Sequence, residues 1–298
     1  MQFKTSGSTG EPKIIDLSES DMVKSAMSTI HFFGLTKDSV LASPLSTQYI
    51  AGAMMEYRAR VLGCRLLVDT PSNNPFVNYC FGDVNRIDLM CLVPSQVPSF
   101  LDNAKLLSMT RNVIVGGAPL DCDTELRLQA SGVNAYITYG MTETASHVAL
   151  RRAGTAFYRA LPGISFETDA DSRLIIVAAE RSFGRLLTND IVYLHSPLEF
   201  VWKGRFDNVV NSGGVKLFPE ELESRMAHLF QFPFYFIGRP SDKWGSELHM
   251  VVEAEEGSIN REEIFSRLRA VLNRMEMPKA IIFKTALEYT SSGKVKRI

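Results

Sequence analysis

Short apolar segments alternate with longer amphipathic ones along the first half of the chain. The segments typical of buried strands are SVLAS, RLLVD, IDLMCLV, NVIVGG and NAYITYG. IAGAMMEYRARVLG and LDCDTELRLQA have helical spacing, and a capping-box-like start at Ser18 predicts a further amphipathic helix. This alternation predicts an α/β layer structure with mostly parallel strands, in which ligands bind at the carboxyl ends of the strands.

The pattern changes after about residue 160 to short strands joined by turns, as in SFETDADSRLIIVAA, GRLLTNDIVYL and LEFVWKGRF. These segments predict a β-rich, barrel-like appendix. Beyond GRFDNVVNSGG, Pro219 and the acids after it start a helix, which is followed by two strands, a helix and a strand. We therefore predict a large N-terminal α/β domain over residues 1–206 and a small α+β domain over residues 207–298.

Composition narrows the classes of function. The 298 residues are 45% hydrophobic, which suffices for a sizeable core. A net charge of -1 argues against nucleic acid or an anionic membrane as partner. The four cysteines form no C-x-x-C pair, which favours buried reduced thiols and a cytoplasmic location. No apolar run reaches the length of a membrane span, and the stretch MQFKTSGSTG lacks the apolar segment typical of a signal peptide.

That first motif, TSGSTGEPK, is rich in glycine and hydroxyl groups. Gly lets backbone N–H groups converge, Ser and Thr add hydroxyl donors, and Lys13 adds a mobile charge, so the stretch suits a polyphosphate. It is not the Walker loop, whose Lys directly follows a Gly. A solvated turn is the alternative interpretation. The candidate phosphate-binding residues are Thr5, Ser6, Gly7, Ser8, Thr9, Gly10 and Lys13.

TSGSTGEPK, YGMTET, TND, GRFDNVVNSGG and SSGKVKR, in this order, resemble the adenylate-forming superfamily of acyl-CoA synthetases, carrier-protein adenylation domains and luciferases. The resemblance extends over almost the whole chain. It implies an enzyme that activates a carboxylate with ATP, releases pyrophosphate, and passes the acyl group from AMP to a thiol. It also implies a small C-terminal domain that is mobile.

The resemblance assigns roles in nucleotide binding. The GGAP stretch would lie along the adenine, on which Tyr139 would stack, while Thr142 and Glu143 would face the phosphates. Glu143 is the expected Mg²⁺ ligand, because this cation takes oxygen donors. Asp190, in a TND motif where the more frequent family motif has Gly in place of Asn189, would hold the ribose with Arg205. The remaining members of the implied ATP and AMP site are Gly116, Gly117, Ala118, Pro119, Gly140 and Met141.

The two half-reactions depend on the C-terminal region. Lys294 would stabilise the charge that develops at the α-phosphorus, and is with Glu143 and Thr142 the implied catalytic set. The superfamily then rotates its small domain about a hinge, at which Asp207 stands, to admit CoA. Gly213 and Gly214 would line the pantetheine tunnel. From composition alone, a tail lysine and a surface turn are the alternatives.

The stretches YIAGAM and TYGMTETASHVALRR are similar to the o-succinylbenzoate-CoA ligases of menaquinone biosynthesis. Arg58 lies about two turns after Ile50 on the predicted helix, and a guanidinium there could clamp the second carboxylate of that substrate. Tyr49 stands where many members have histidine, and His147 could contact the keto or carboxylate group. A surface salt bridge for Arg58 and a packed role for His147 are the alternatives.

One departure and two competing functions stay open. Superfamily members place a substantial segment before the phosphate loop, whereas only Met1 to Lys4 precede it here, so we expect the first strands of the sheet to be missing or shortened. A stand-alone adenylating enzyme that loads a carrier protein is the first alternative function, and a truncated, non-catalytic nucleotide-binding module is the second. A homodimer is left open as the state of assembly.

Overall fold

The computed structural model describes residues 1–4, 13–290 and 295–298. The helices of these ranges are α1 (Glu19–Phe33), α2 (Ile50–Leu62), α3 (Val97–Asp102), α4 (Ala104–Met109), α5 (Cys122–Ala130), α6 (Pro219–Met226) and α7 (Arg261–Arg269). The strands are β1 (Gln2–Lys4), β2 (Ile14–Asp16), β3 (Val40–Ser43), β4 (Arg65–Val68), β5 (Leu89–Leu92), β6 (Asn112–Val115), β7 (Asn134–Met141), β8 (Ser146–Arg152), β9 (Tyr158–Ala160), β10 (Ser165–Thr168), β11 (Arg173–Ala178), β12 (Gly184–Ser196), β13 (Glu199–Arg205), β14 (Val210–Ser212), β15 (Val215–Leu217), β16 (Phe234–Ser241), β17 (Gly245–Glu253) and β18 (Ala280–Lys284).

The largest sheet has 11 strands in the order β10-β11-β12-β13-β9-β8-β7-β6-β5-β3-β4. From β4 to β7 the neighbouring strands are parallel. Every residue of β5 and β6 is buried, as expected of parallel strands covered on both faces. The five apolar segments noted in the sequence form β3 to β7, which confirms the predicted mixed α/β fold with a large sheet.

The other half of this sheet differs from the predicted barrel-like appendix. β8 pairs antiparallel with β7 and with β9, and β9 pairs antiparallel with β13. The strands after residue 160 therefore continue the large sheet. The reason is that β9 supplies a hydrogen-bonding edge for β13, with Phe200 opposite Tyr158.

Helix α1 illustrates why the helices begin and end where they do. The side chain of Ser18 accepts a hydrogen bond from the backbone N–H of Asp21, and Gly34 ends the helix in a left-handed conformation with φ 61°. Both termini thereby satisfy backbone groups that the helix itself leaves unpaired. The helix start predicted at Ser18 is confirmed.

The chain divides into two compact units. The first comprises residues 1–167, 175–187 and 194–201, and the second comprises 168–174, 188–193 and 202–298. In the second unit, β15, β14, β17 and β16 form a sheet in that order, and β18 pairs parallel with β17. Helices α6 and α7 contribute Leu222, Met226, Ile264 and Leu268 to its core. The domain boundary at Asp207 and the mobility of the C-terminal domain remain predictions.

The cysteines differ in part from the expectation of buried thiols. None of the four is in a disulfide bond, and Cys91 is buried, but Cys80 is exposed. Within the described ranges, no helix is both long enough and apolar enough to cross a membrane.

Candidate functional site

The hairpin of β1 and β2 brackets the predicted phosphate-binding stretch. Lys4 pairs with Ile14, so the backbone on either side of residues 5–12 is brought together. Next to the paired strands, the Met1 ammonium donates a hydrogen bond to the carbonyl of Leu17 at 2.7 Å. The predicted residues Thr5 to Gly10 lie outside the described residues, and Lys13 is exposed next to β2.

The GGAP stretch forms the connection between β6 and α5. A Cβ atom on Gly116 would lie 2.2 Å from Oγ1 of Thr138, and Gly117 has φ 97°. Glycine is therefore required at the first position by close approach and at the second by backbone conformation. Ala118 and Pro119 continue the turn, and the predicted adenine contact of this stretch stays a prediction.

Tyr139 and Gly140 lie at the end of β7. The Tyr139 ring packs edge-on against Phe200 at 5.1 Å between centroids, and against Tyr158 at 5.8 Å. A Cβ atom on Gly140 would lie 2.5 Å from the Cα of His147, so only glycine lets β7 approach β8 this closely. The segment thus fixes where the following turn begins.

The turn Thr142–Thr144 carries the predicted phosphate-facing residues. Thr144, which the sequence did not single out, is fully buried, and its hydroxyl accepts from the N–H of Met141 at 3.0 Å and donates to the carbonyl of Ser146 at 2.6 Å. The following residues, Ala145 and Ser146, have φ 52° and 100°. Non-glycine residues in this region are strained, and such strain clusters at functional sites.

The Glu143 carboxylate is half-buried, and among the described residues it forms no hydrogen bond or ion pair. The described parts of the chain hold no cluster of three or more His, Cys, Asp or Glu side chains that could bind a metal alone. Mg²⁺ commonly takes one or two carboxylates together with substrate phosphates. A carboxylate that none of the described residues engages fits a magnesium ion that is bound with a nucleotide.

Asp190 and Arg205, the predicted ribose-binding pair, are brought together. Asp190 is only 6% exposed, and its Oδ1 lies 3.8 Å from Nη1 of Arg205. The same oxygen accepts a hydrogen bond from the indole N–H of Trp202 at 3.1 Å. Trp202 was not recognised in the sequence, and it holds the carboxylate in one orientation.

Asp207, at the predicted hinge, lies in the turn Phe206–Asn208. Its Oδ2 lies 3.9 Å from Nη2 of Arg205. The side-chain amide of Asn189 also donates a hydrogen bond to this oxygen. The structure thus groups the TND and GRFD motifs.

Arg58 is buried on α2, 1% exposed, which excludes the alternative of a surface salt bridge. Its Nη1 contacts the sulfur of Met55 at 3.5 Å and its Nη2 donates to the hydroxyl of Ser146 at 3.3 Å, while Nε has no partner in the described structure. Burial lowers the pKa of Arg58 to about 10, so the side chain stays charged at neutral pH. A buried cation without a carboxylate is costly, and an anionic ligand would relieve that cost.

His147 lies beside Arg58 and is 5% exposed. Its Nε2 is 3.0 Å from the hydroxyl of Thr29, and its Nδ1 is 3.3 Å from that of Ser146. Burial, with the charges of Arg58 and Arg181, holds the pKa of His147 well below its usual range, so the imidazole is neutral. The structure therefore brings Arg58 and His147 together through Ser146, which the sequence did not single out.

Tyr49 is not brought into this cluster. It precedes the first turn of α2 and its side chain is 58% exposed. Gly213 and Gly214 form the tight turn between β14 and β15, with φ 59° and 84°. Because both residues have positive φ, this hairpin turn by itself accounts for glycine at the two positions. The tunnel role of Gly213 and Gly214 remains a prediction.

Lys294 lies outside the described residues, but its neighbours are well anchored. Tyr289 pairs with Val295, and the N–H of Lys296 donates to the carbonyl of Glu288 at 2.8 Å. Arg297, a further residue that the sequence did not single out, forms a two-pronged ion pair with Glu223 on α6.

Comparison with known proteins gives consistent results. Residues 3–174, more than half of the chain, match the model of the AMP-binding enzyme family. A 2-succinylbenzoate–CoA ligase of Listeria monocytogenes is 26% identical over 320 residues, which cover 98% of this chain and 68% of that protein.

Two solved structures show the same similarity. An AMP-forming acyl-CoA synthetase/AMP-acid ligase II-like protein from Dyadobacter fermentans is 32% identical, with a TM-score of 0.64 over 100% of this chain and 87% of that one. The O-succinylbenzoate coenzyme A synthetase of Bacillus subtilis, in complex with ATP and magnesium, shares the fold at 18% identity, with a TM-score of 0.82 over 98% of this chain and 68% of that one.

The sequence motifs, the α/β sheet and these similarities agree. The chain belongs to the AMP-binding enzyme family and is an AMP-forming acid–thiol ligase.

Proposed function

We propose that this enzyme is an o-succinylbenzoate–CoA ligase. In the first step the carboxylate on the succinyl arm attacks the α-phosphorus of ATP, pyrophosphate leaves, and an acyl-adenylate forms. In the second step the thiol of CoA attacks the acyl carbon, loses its proton, and displaces AMP.

The single observation that carries the substrate assignment is the buried guanidinium of Arg58. Among the described residues its N–H groups face no carboxylate, and Nε has no hydrogen-bond partner. The proposed substrate has a second carboxylate on its ring, which must be held away from the reacting phosphate. A buried guanidinium can bind that group through two parallel hydrogen bonds and orient the other carboxylate for attack.

The remaining roles follow the order of the motifs. The segment from Thr5 to Lys13 would hold the β- and γ-phosphates, and Tyr139 and the GGAP turn would hold the adenine. Asp190, kept in place by Trp202, would accept hydrogen bonds from the ribose hydroxyls. Glu143 would hold Mg²⁺, which supplies charge neutralisation at the phosphates.

Lys294 would stabilise charge at the α-phosphorus in the first step. In the second step the C-terminal domain, 207–298, would rotate about Asp207, and Gly213 and Gly214 would line the path of the CoA arm. This domain division is part of the proposal.

The test is ATP–pyrophosphate exchange with o-succinylbenzoate and with 3-benzoylpropionate, which lacks the ring carboxylate. We expect exchange with o-succinylbenzoate, and Arg58→Gln should raise its KM about 100-fold, equivalent to about 2.8 kcal/mol. The same substitution should change the KM for 3-benzoylpropionate by no more than about twofold.

Arg60→Gln is the matched control, because Arg60 lies on the same helix but its exposed side chain faces Glu19 and the Tyr57 ring. It should leave both KM values unchanged. ATP–pyrophosphate exchange with another acid and none with o-succinylbenzoate would refute the substrate assignment. Thioester formation with a carrier protein but not with CoA would refute CoA as the acceptor.

A further inference from the structure

A directional chain of hydrogen bonds runs from Arg58 through Ser146 and His147 to α1. Arginine is only a donor, so Nη2 of Arg58 donates to the Ser146 oxygen, at 3.3 Å. The same hydroxyl lies 3.3 Å from Nδ1 of His147. A serine oxygen can accept two hydrogen bonds, so the direction of this second bond is set at the other end of the chain of hydrogen bonds, at Thr29.

The other ring nitrogen of His147 completes the chain. The hydroxyl of Thr29 donates its one proton to the carbonyl of Ser25, one helical turn earlier, at 3.3 Å. It therefore accepts from the Nε2–H of His147, at 3.0 Å. The neutral imidazole then carries its proton on Nε2, and Nδ1 accepts from the hydroxyl of Ser146.

The charges around His147 favour these donor and acceptor roles. Arg58 and Arg181 both act on the buried His147 ring and disfavour its protonation, while Asp21 faces Arg181 and Cys91 faces Arg58. A protonated imidazole would be a donor at both nitrogens and could no longer accept from Ser146.

The backbone at Ser146 is strained, and a contact with α1 holds it in place. Ser146 has φ 100°, and the residue before it, Ala145, has φ 52°. The hydroxyl of Ser25 donates to the Ala145 carbonyl at 2.7 Å, so α1 fixes both the backbone and the hydrogen-bonding partner of His147. Strain of this kind persists only where the surroundings impose it.

We propose that His147 is a positioning residue, which acts through Ser146 to orient the Arg58 guanidinium so that Nε and the N–H groups not bound to protein face the second carboxylate of the substrate. This inference rests on the proposed function. It assigns to His147 no contact with substrate, and it assigns the discrimination between dicarboxylates and monocarboxylates to the whole chain from Thr29 to Arg58.

The first experiment measures KM for o-succinylbenzoate and for 3-benzoylpropionate in ATP–pyrophosphate exchange. His147→Phe should raise the KM for o-succinylbenzoate about tenfold and leave kcat and the KM for 3-benzoylpropionate within about twofold. Should His147→Phe not fold, Thr29→Val gives the same readout with an expected rise of about threefold. An equal change for both acids, or none for either, overturns the proposal.

Thr110→Val is the matched control for Thr29→Val. Thr110 is also a buried threonine whose hydroxyl donates to a carbonyl one helical turn earlier, that of Leu106, at 2.7 Å. It lies outside the chain of hydrogen bonds described above. It should leave the ratio of the two KM values unchanged.

A double-mutant cycle separates positioning from general damage. If His147 acts through Ser146, His147→Phe should have almost no further effect on the KM for o-succinylbenzoate once Ser146 is replaced by alanine. Additive effects would show that His147 does not act through Ser146.

Nitrogen NMR of the histidine-labelled protein tests the geometry without any substrate. We expect Nδ1 unprotonated and Nε2 protonated, unchanged between about pH 5 and about pH 8. A protonated Nδ1 overturns the proposal whatever the substrate is. A wild-type enzyme that does not use o-succinylbenzoate, yet shows the expected tautomer, would instead refute the proposed function.

Discussion

The side-chain amide of Asn189 donates a hydrogen bond to the carboxylate of Asp207, 18 residues later in the chain. The more frequent motif of the superfamily has glycine in place of Asn189, and glycine could not make this bond. Asn189 thereby adds a contact to the residue at the predicted hinge.

Asn189→Gly should therefore change the rate of thiol transfer relative to that of adenylate formation. If the backbone at Asp207 rotates between the steps, this bond has to break, and its loss should speed thiol transfer from supplied acyl-adenylate. A hydrogen bond of about 1 kcal/mol corresponds to about a fivefold change in rate. Stopped-flow or quenched-flow measurement of CoA thioester formation tests this.

Asp207→Pro provides the complementary test of the hinge. Proline restricts φ, so transfer should slow by about tenfold or more while adenylate formation is retained. An unchanged rate of transfer would mean that Asp207 is not a hinge.

Lys294→Ala should slow adenylate formation severely, by about 100-fold or more, because the charge at the α-phosphorus loses its counter-charge. Transfer of the acyl group from supplied adenylate to CoA should be retained. Single-turnover assays of each half-reaction measure the two rates separately. An equal loss in both would indicate a structural role.

Asp190→Asn should raise the KM for ATP about tenfold and leave the KM for the carboxylate unchanged, since a neutral amide accepts fewer hydrogen bonds from the ribose. Trp202→Phe should have a smaller effect of the same kind, because it removes only the N–H that orients Asp190. Initial rates at varied ATP check both variants. If Asp190→Asn leaves the KM for ATP unchanged, the ribose assignment is wrong.

Glu125→Gln should lower the free energy of unfolding by about 2 kcal/mol at neutral pH. Burial alone would raise the pKa of Glu125, but its bonds to Arg151, the charge of Arg151 and the N–H of Gly154 together hold it below the ordinary value. A lowered pKa stabilises the folded chain above the unfolded pKa of about 4.3, and this contribution is lost as pH falls through the folded value.

The difference in the free energy of unfolding between wild type and Glu125→Gln should thus become smaller below about pH 4. Urea denaturation at a series of pH values measures it. Glu167→Gln is the control, because Glu167 pairs with Arg185 on the surface, where both side chains are about half exposed. It should change stability by no more than a few tenths of a kcal/mol. A pH-independent difference for Glu125→Gln would contradict the ion-pair explanation.

Local patterns in the sequence were sufficient to predict much of this fold. The apolar segments that became β3 to β7 and the capped start of α1 depend on side-chain periodicity and on neighbours within one helical turn. The order of the motifs was likewise sufficient to recognise the family. The prediction of a separate appendix after residue 160 was wrong, because the pairing of β13 with β9 depends on which edge of the sheet is free.

By itself, then, the sequence determined the elements, the family and the types of residue available for chemistry. The tertiary structure alone decided that Arg58 meets Ser146, 88 residues later, and that His147 meets Thr29, 118 residues earlier. Periodicity predicts which face of a helix or strand is buried, but not which buried side chains of distant segments come into contact. Those contacts follow from the packing of α1 and α2 against β8. The proposal that the buried Arg58 binds an anion rests on them.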